Sequence, residues 1–426
     1  MKNLITLAKK LYPINRSITG RGIIRTLKII KTKHLPKLSI KKIKSGTKVY
    51  DWKIPSEWNI KDAYIKDESG RKIIDYKKNN LHIVSYSRKI RKYINKKELN
   101  KHLFSIPQKP KAIPYVTSYY KSFWGFCISH NERKKIKGNK FFVHIDSSFN
   151  KKGHLPYGEL YLKGKSPKEI LISTYVCHPS MANNEISGPV VSTFIAKYFK
   201  NVRKKYSMRF IFVPETIGAI AYINKNFKNL KKNVIASYCL TCIGDERNYS
   251  IIQSKYGNDL SDLTALEALK KLKIKYKKYT YLDRGSDERQ FNSFGIEVPM
   301  TVISRTKFGN YPEYHTSLDN FNVVTENGLK GGYNVVKKII NLLQSKILPY
   351  SKIICEPMLS KRKLYPTRQK LSKSKIDQNI RNILSFISYS NGKNDLEKIS
   401  NLINLSKNQT KKIFKLLLKQ KLILEL

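Results

Sequence analysis

Acidic side chains are scarce in this chain of 426 residues: 30 Asp and Glu stand against 84 Lys and Arg, for a formal net charge of +54. A surplus of that size ordinarily points to nucleic acid or an anionic membrane surface as partner. Its distribution argues otherwise. The excess runs along the whole chain, Lys mixes with Ile and Asn in stretches such as 31–44 and 77–97, and 13 of the 30 acids collect between residues 171 and 320. This pattern is that of a general composition bias more than of a dedicated patch, and a nucleic-acid footprint is the second reading. Cysteine is also sparse. Cys127, Cys177, Cys239, Cys242 and Cys355 are odd in number and lack framework spacing, which excludes a disulfide-stapled domain and sets a reducing compartment as the default. Long apolar runs are missing too. The longest, 210–223, is broken by Pro214 and Glu215 and is shorter than a bilayer span, and Leu4–Ala8 is too short for a signal core. The expectation is a soluble, cytoplasmic protein with no membrane partner. There are no internal repeats.

What is present is enough to build cores: 40% of the residues are hydrophobic and 11% aromatic, which excludes a disordered basic tail. The length suggests two or three domains. Residues 4–12 and 16–31 carry apolar side chains at helical spacing. From Ser39 to Pro114 short β-like runs (48–52, 63–65, 81–84) alternate with turn signals such as Asp67-Glu68-Ser69-Gly70, as in a small β-rich insertion. After Pro114 candidate strands at 140–145, 169–175, 208–213, 234–243 and 296–302 alternate with helices at 187–198, 217–227, 260–272 and 326–345, which indicates an α/β sheet covered on both faces. Three short amphipathic helices, 376–387, 395–403 and 406–419, end the chain with helix-turn-helix or winged-helix spacing, a spacing also compatible with any small helical bundle.

Four stretches place chemistry-bearing residues just past an expected strand, where ligands gather in open α/β sheets. In the first, Cys177 to Gly188, His178 can offer a nitrogen to a metal, with oxygen ligands several residues on, or can be a hydrogen-bonded loop His with Ser187 capping the next helix. In the second, Glu215 follows an apolar strand and needs a charged partner, a network or a metal, unless it is simply a first-turn acid favoured by the helix dipole. The third has Asp245 and Glu246 beyond 234–243. The Cys239–Cys242 spacing there puts the two thiols on opposite faces of a strand, so they read as core residues. The fourth joins 284–291 to 311–320 around His315. The other six histidines have no comparable setting. Two His and several carboxylates at successive strand ends make a candidate zinc hydrolase site.

The order His178, Asn184, Glu215, Asp245, His315 resembles the co-catalytic zinc aminopeptidase superfamily. More closely, 177–188, 214–220, 284–291 and 312–320, with 114–120 and 124–127, resemble a bacterial aminopeptidase-like family associated with polysaccharide biosynthesis. The resemblance covers essentially the full length. It implies an aminopeptidase-like mixed sheet with helices on both faces over 1–38 and 113–354, an inserted β-rich domain over 39–112 and a winged-helix-like domain over 355–426. It also implies that His178 and Asp245 hold one metal, that Glu215 and His315 hold a second, and that Asn184 bridges them, with Arg284, Asp287 and Tyr314 facing the substrate. Two departures bear on the chemistry. The superfamily has Asp where Asn184 stands, and an amide bridges two cations poorly. It also has adjacent acids, one base and one ligand, where this chain has Pro214 before Glu215. One zinc, with Glu215 as either base or ligand, is therefore expected over a full pair. The leading function is a zinc-dependent hydrolase of an amide or acyl bond in a peptide-like or small-molecule substrate, serving surface-polysaccharide or modified-sugar metabolism. The alternative is a non-catalytic regulator or scaffold on the same fold, binding a ligand or DNA through the C-terminal helices. Peptides and acylated sugars are not separated by the sequence.

Overall fold

The computed structural model describes residues 2–365 and 375–426. Its larger sheet has eight strands in the order Ser39–Lys44, His154–Leu162, Tyr206–Val213, Ser166–Tyr175, Val234–Leu240, Met300–Ser304, Ser250–Ile252, Lys277–Tyr279. The four central strands, Tyr206–Val213 to Met300–Ser304, are mutually parallel, and antiparallel pairs flank them. Side chains alternate between faces along a strand, so an unbroken apolar run needs cover on both sides. Ile170, Ile172, Phe210 and Phe212 pack with Val190, Ile195 and Ile339 from helices Ser187–Lys200 and Glu326–Ser345, whereas Leu171 and Ile211 pack with Ala219, Tyr222 and Ile223 from helix Ile217–Asn233. The mixed sheet with helices on both faces is the expected fold class.

Three local expectations differ. The stretch 140–145 is a strand, Lys140–Asn150, but it sits in a separate four-stranded sheet between Glu57–Lys66 and Ile90–Asn95. The reason lies in its pattern: Phe141, Val143 and Ile145 are buried and the residues between them are not, the signature of an antiparallel strand with one wet face. In return Ser39–Lys44 leaves the small unit and edges the large sheet. The run 81–84 is not a continuous strand: Leu81 and His82 lie in a tight turn, Asn80–His82, with the Asn79 side chain accepting from Leu81 N, and Ile83 makes only an isolated bridge to Phe126.

The C-terminal helices Lys375–Tyr389, Leu396–Leu402 and Lys407–Lys419 enclose Phe386, Ile399, Phe414 and Leu417. The last strand, Ile423–Glu425, then pairs with Pro349–Ser351. Residues 366–374 of the expected C-terminal domain lie outside the described residues. Asp395 and Ser406 cap the second and third helices, and Lys346 ties this unit to the large domain by pairing with both Glu267 and Asp395.

Across the sheet, Arg209 pairs with Glu159 at 2.5 Å and Glu169 at 2.6 Å, with Tyr222 and Lys41 also on Glu159. Burial works against the Glu159 charge, but these partners outweigh it and hold its pKa below the ordinary value. A depressed carboxylate pKa contributes stability above its unfolded value and loses it as pH falls. Arg209→Met should therefore cost about 2–3 kcal/mol at neutral pH, since one partner of a buried cluster is removed while Lys41 and Tyr222 remain. In urea titrations the deficit should shrink as the pH is lowered below the carboxylate range.

Candidate functional site

The site is assembled at the carboxyl ends of the central parallel strands. Just past Ser166–Tyr175, the chain passes through Cys177 and His178 into a wide, π-type turn, Ala182–Ile186, that runs directly into helix Ser187–Lys200. Such turns are rare and concentrate at functional sites. Here the turn buries Asn183, Asn184 and Glu185 together. Asp319 anchors it by accepting the backbone N–H groups of Asn183 at 2.6 Å and Asn184 at 2.9 Å. Gly188 permits the close approach, because a Cβ there would lie 2.3 Å from the Leu240 carbonyl oxygen.

Glu185 Oε2 lies 2.8 Å from His178 Nδ1. A carboxylate accepts, so Nδ1 carries the proton and Nε2 is left as the free nitrogen. That nitrogen points to Glu215 Oε2 at 3.4 Å. On the far side of Glu185 stands Arg16, 3.5 Å away, wholly buried, which also donates to the carbonyls of His178 and Leu11. Burial disfavours the His178 cation, yet the Glu185 hydrogen bond and the charges of Glu185 and Glu215 outweigh it and raise the pKa. One donor atom each of Cys177, His178 and Glu185 lie within 4.8 Å of one another. This trio orients a histidine more than it holds an ion. Glu185 Oε2 is taken by His178 while its Oε1 faces the Arg16 cation without a hydrogen bond, and burial drives the Cys177 thiol well above its ordinary pKa, with its sulfur accepting from Glu215 N at 3.2 Å.

Glu215 opens helix Ile217–Asn233, and its Oε1 accepts from Ser286 Oγ at 3.0 Å. Burial raises its pKa, with His178 and Ser286 pulling it back. Thr216 has φ 62, a backbone region that a β-branched residue adopts only under strain. It is held there by Asp287, which accepts from its N–H at 2.7 Å, and by Arg289, which donates to its hydroxyl at 2.7 Å. His315 has φ 54 and stacks on Tyr314 with centroids 3.9 Å apart. Its ring centroid is 5.6 Å from that of His178, and Tyr115 packs edge-on to both. Burial and the neighbouring His178 lower its pKa to about 3, so it is neutral.

His178, Glu215, His315, Tyr314 and Asp287 are thus brought together, with Asn184 behind them donating to Tyr175 at 2.7 Å. Two expected residues are not. Asp245 is consumed internally: its two oxygens accept from Thr306 N, Thr306 Oγ1, Asn183 Nδ2 and Arg247 N, leaving no lone pair directed at His178. Arg284 is exposed and bends back over Tyr281, 4.7 Å from its ring centroid, donating to the Tyr281 carbonyl. Asp287 is fully buried under the site, so it meets Thr216 instead of solvent or substrate. Burial and the Glu215 charge push its pKa well up. The sequence offered no sign of Arg16, whose partners at the site, the His178 carbonyl and Glu185, lie more than 160 residues away, and the role of Glu185 depends on a wide turn that residue spacing does not encode. Among the described residues of the site, Asn184 Oδ1, Glu185 Oε1 and Asp287 Oδ2 are buried acceptors with no hydrogen-bond partner.

The chain matches a family profile described as a domain of unknown function (DUF4910) over residues 5–346, and a winged helix-turn-helix profile over 348–425. A Clostridium acetobutylicum protein, described as a candidate polysaccharide biosynthesis protein with an aminopeptidase-like domain, is 41% identical over 367 residues, covering 85% of this chain and 82% of its own length. A crystal structure of a candidate peptidase from C. acetobutylicum superposes with TM-score 0.80 at 37% identity, covering 100% of this chain and 96% of that one. A zinc aminopeptidase from Bacillus subtilis superposes over 80% of this chain and 93% of its own with TM-score 0.58 at 13% identity, a likeness of fold alone.

Proposed function

The chain belongs to the DUF4910 family, the aminopeptidase-like family resembled by its motifs, and from that membership we propose that it is a hydrolase of an amide or acyl bond working with one zinc ion. The observation that carries the reading is the His178 ring, fixed through Nδ1 by Glu185 with Nε2 free beside Glu215. A carboxylate that holds the remote nitrogen of a histidine is the usual support of a metal-binding imidazole. The donor set fits one cation. His178 Nε2 and the neutral His315 are nitrogen donors, and Asn184 Oδ1 is a buried acceptor without a partner. It does not fit two, because Asp245 is saturated by four hydrogen bonds and Asn184 is an amide.

A bound zinc would supply a Lewis acid and a water of lowered pKa. Glu215 is the proton carrier. Ser286 holds its Oε1, so Oε2 faces the open side next to His178, and a raised pKa suits it to accept a proton and return it to the leaving group. Tyr115, Tyr175 and Tyr314 wall the histidines with aromatic surface and keep bulk water from their inner faces. The description of the C. acetobutylicum relative supports surface-polysaccharide or modified-sugar metabolism as the setting, and the likeness to aminopeptidase folds supports a peptide-like bond. Metal analysis of the purified protein should find zinc, with His178→Ala and His315→Ala each lowering its content. Protein without zinc, or zinc unaffected by both changes, removes the reading.

A second reading, a DNA-binding regulator, draws on helix Lys407–Lys419, where Asn408, Lys411, Lys412, Lys415 and Lys419 are exposed along one side. If that face binds DNA, Lys411→Ala and Lys415→Ala together should flatten the salt dependence of affinity by about two units of slope. An unchanged slope assigns the attraction to the general positive charge.

A further inference from the structure

On the small-domain side of the molecule is a cavity of about 650 Å³ to which the site chemistry assigns nothing. Tyr120 and Phe149, residues 54% and 45% exposed, line it. Lys53, Arg88, Lys121 and Lys151 line it as well, no Asp or Glu does, and none of the four cations has an ion-pair partner among the described residues. Tyr86 forms the inner wall, stacked on Trp58 at 5.6 Å. Tyr86 and Tyr120 both have left-handed backbones, φ 67 and φ 64, and each is fixed by a hydroxyl bond to a backbone carbonyl, of Ser56 and Lys53 respectively. Strained aromatic residues held in this way are a mark of a built recognition surface.

Flat aromatic faces receive the C–H face of a saturated ring, whose hydrogens meet the negative π-cloud. Unpaired Lys and Arg receive a carboxylate or phosphate. The combination also suits single-stranded nucleic acid, but that ligand needs a groove tracking several nucleotides, and this is a single half-open hollow of about 650 Å³. We propose that the cavity binds an acidic sugar, a pyranose ring carrying a carboxylate, with the ring over Tyr120 and Phe149 and the anion among Arg88, Lys121 and Lys151. It is joined to the site by aromatic contacts. Tyr86 packs on Tyr119 at 5.1 Å, the Tyr119 and Tyr115 hydroxyls are 3.1 Å apart, and Tyr115 packs on His178 at 5.0 Å. That the sugar is the glycan portion of the hydrolysed substrate rests on the hydrolase reading; the binding does not.

The test is calorimetric titration of the full-length protein with a glucuronate-containing disaccharide, its neutral methyl ester, inorganic phosphate and a short oligothymidylate. The disaccharide should bind saturably. The ester should bind about tenfold or more weakly, and Arg88→Ala, Lys121→Ala and Tyr120→Ala should each weaken the disaccharide to a similar degree with unchanged thermal unfolding. Lys165→Ala, on a distant basic surface, should have no effect. No saturable binding, equal affinity for ester and acid, or insensitivity to Arg88→Ala and Tyr120→Ala overturns the proposal. Tighter binding of oligothymidylate assigns the cavity to nucleic acid, and equal binding of phosphate reduces it to a general anion site; either also overturns it. Zinc content and hydrolysis, measured separately, report on the catalytic reading alone.

Discussion

Glu215→Gln is expected to lower hydrolytic turnover by about 10²–10⁴-fold while leaving zinc content and unfolding temperature near those of the parent protein. The amide keeps the shape of the carboxyl group and can still meet Ser286 Oγ, which lies 3.0 Å from Oε1. It cannot carry a proton. The parent should also show an acid limb in its pH–rate profile, because a base works only when deprotonated. Burial raises the Glu215 pKa while the His178 charge opposes it, with the net direction upward. Activity should therefore fall, as pH is lowered, at a value above that of an ordinary glutamate, and that limb should be absent from the residual activity of Glu215→Gln. Metal analysis of the same variant separates base from ligand: zinc lost together with activity would assign Glu215 to coordination and sink its role as proton carrier.

Arg16→Met is expected to cost about 3–5 kcal/mol of folding stability, the range for removing one partner of a buried ion pair. The guanidinium is wholly buried, with burial working against its charge and Glu185 favouring it. It donates to the Leu11 carbonyl at 2.7 Å and the His178 carbonyl at 3.0 Å, so its loss also takes a donor from the buried His178 carbonyl, whereas the Leu11 carbonyl keeps the Ile14 N–H. A merely structural role would end there. A positioning role adds a second signature: Glu185, freed from Arg16, should hold His178 more loosely, so zinc affinity should fall even in the folded fraction, by about 10–100-fold as for other supports of metal-binding histidines. Chemical denaturation gives the first quantity and competition with a chelator the second. Zinc affinity equal to that of the parent would confine Arg16 to folding.

Much of the architecture was legible because buried parallel strands write themselves as unbroken apolar runs. Ile170–Tyr175 and Met208–Val213 could be read directly, as could the helix 326–345, whose apolar face repeats at helical spacing. The small sheet was harder to bound. Lys140–Asn150 follows the inserted segment in the chain yet pairs within it, and pairing partners are a property of register, not of composition. At the site, His178, Glu215 and His315 stood out as polar residues just beyond strand ends, and they do converge. Asp245 stood out on the same grounds and does not. Thr306 and Asn183, from two distant segments, and the N–H of nearby Arg247 satisfy it before it can reach the histidines. Arg16 was invisible for a similar reason, since a lone Arg early in a Lys-rich chain has no local mark of burial.

The wide turn at Ala182–Ile186 makes the site a matter of counting as well as of chemistry. A π-type turn holds one more residue than the α-helical turn it replaces, and each residue of a helix advances about 100° around its axis. The extra residue is therefore a phase shift between His178 and everything from Ser187 onward. Shortening the segment by a single residue would let the helix close into a regular turn, with every side chain conserved in type but Glu185 carried about a quarter-turn away from His178 Nδ1. Sequences of this family that keep all the chemical groups and differ by one residue between His178 and Gly188 would belong to a separate mechanical class, whatever their identity elsewhere.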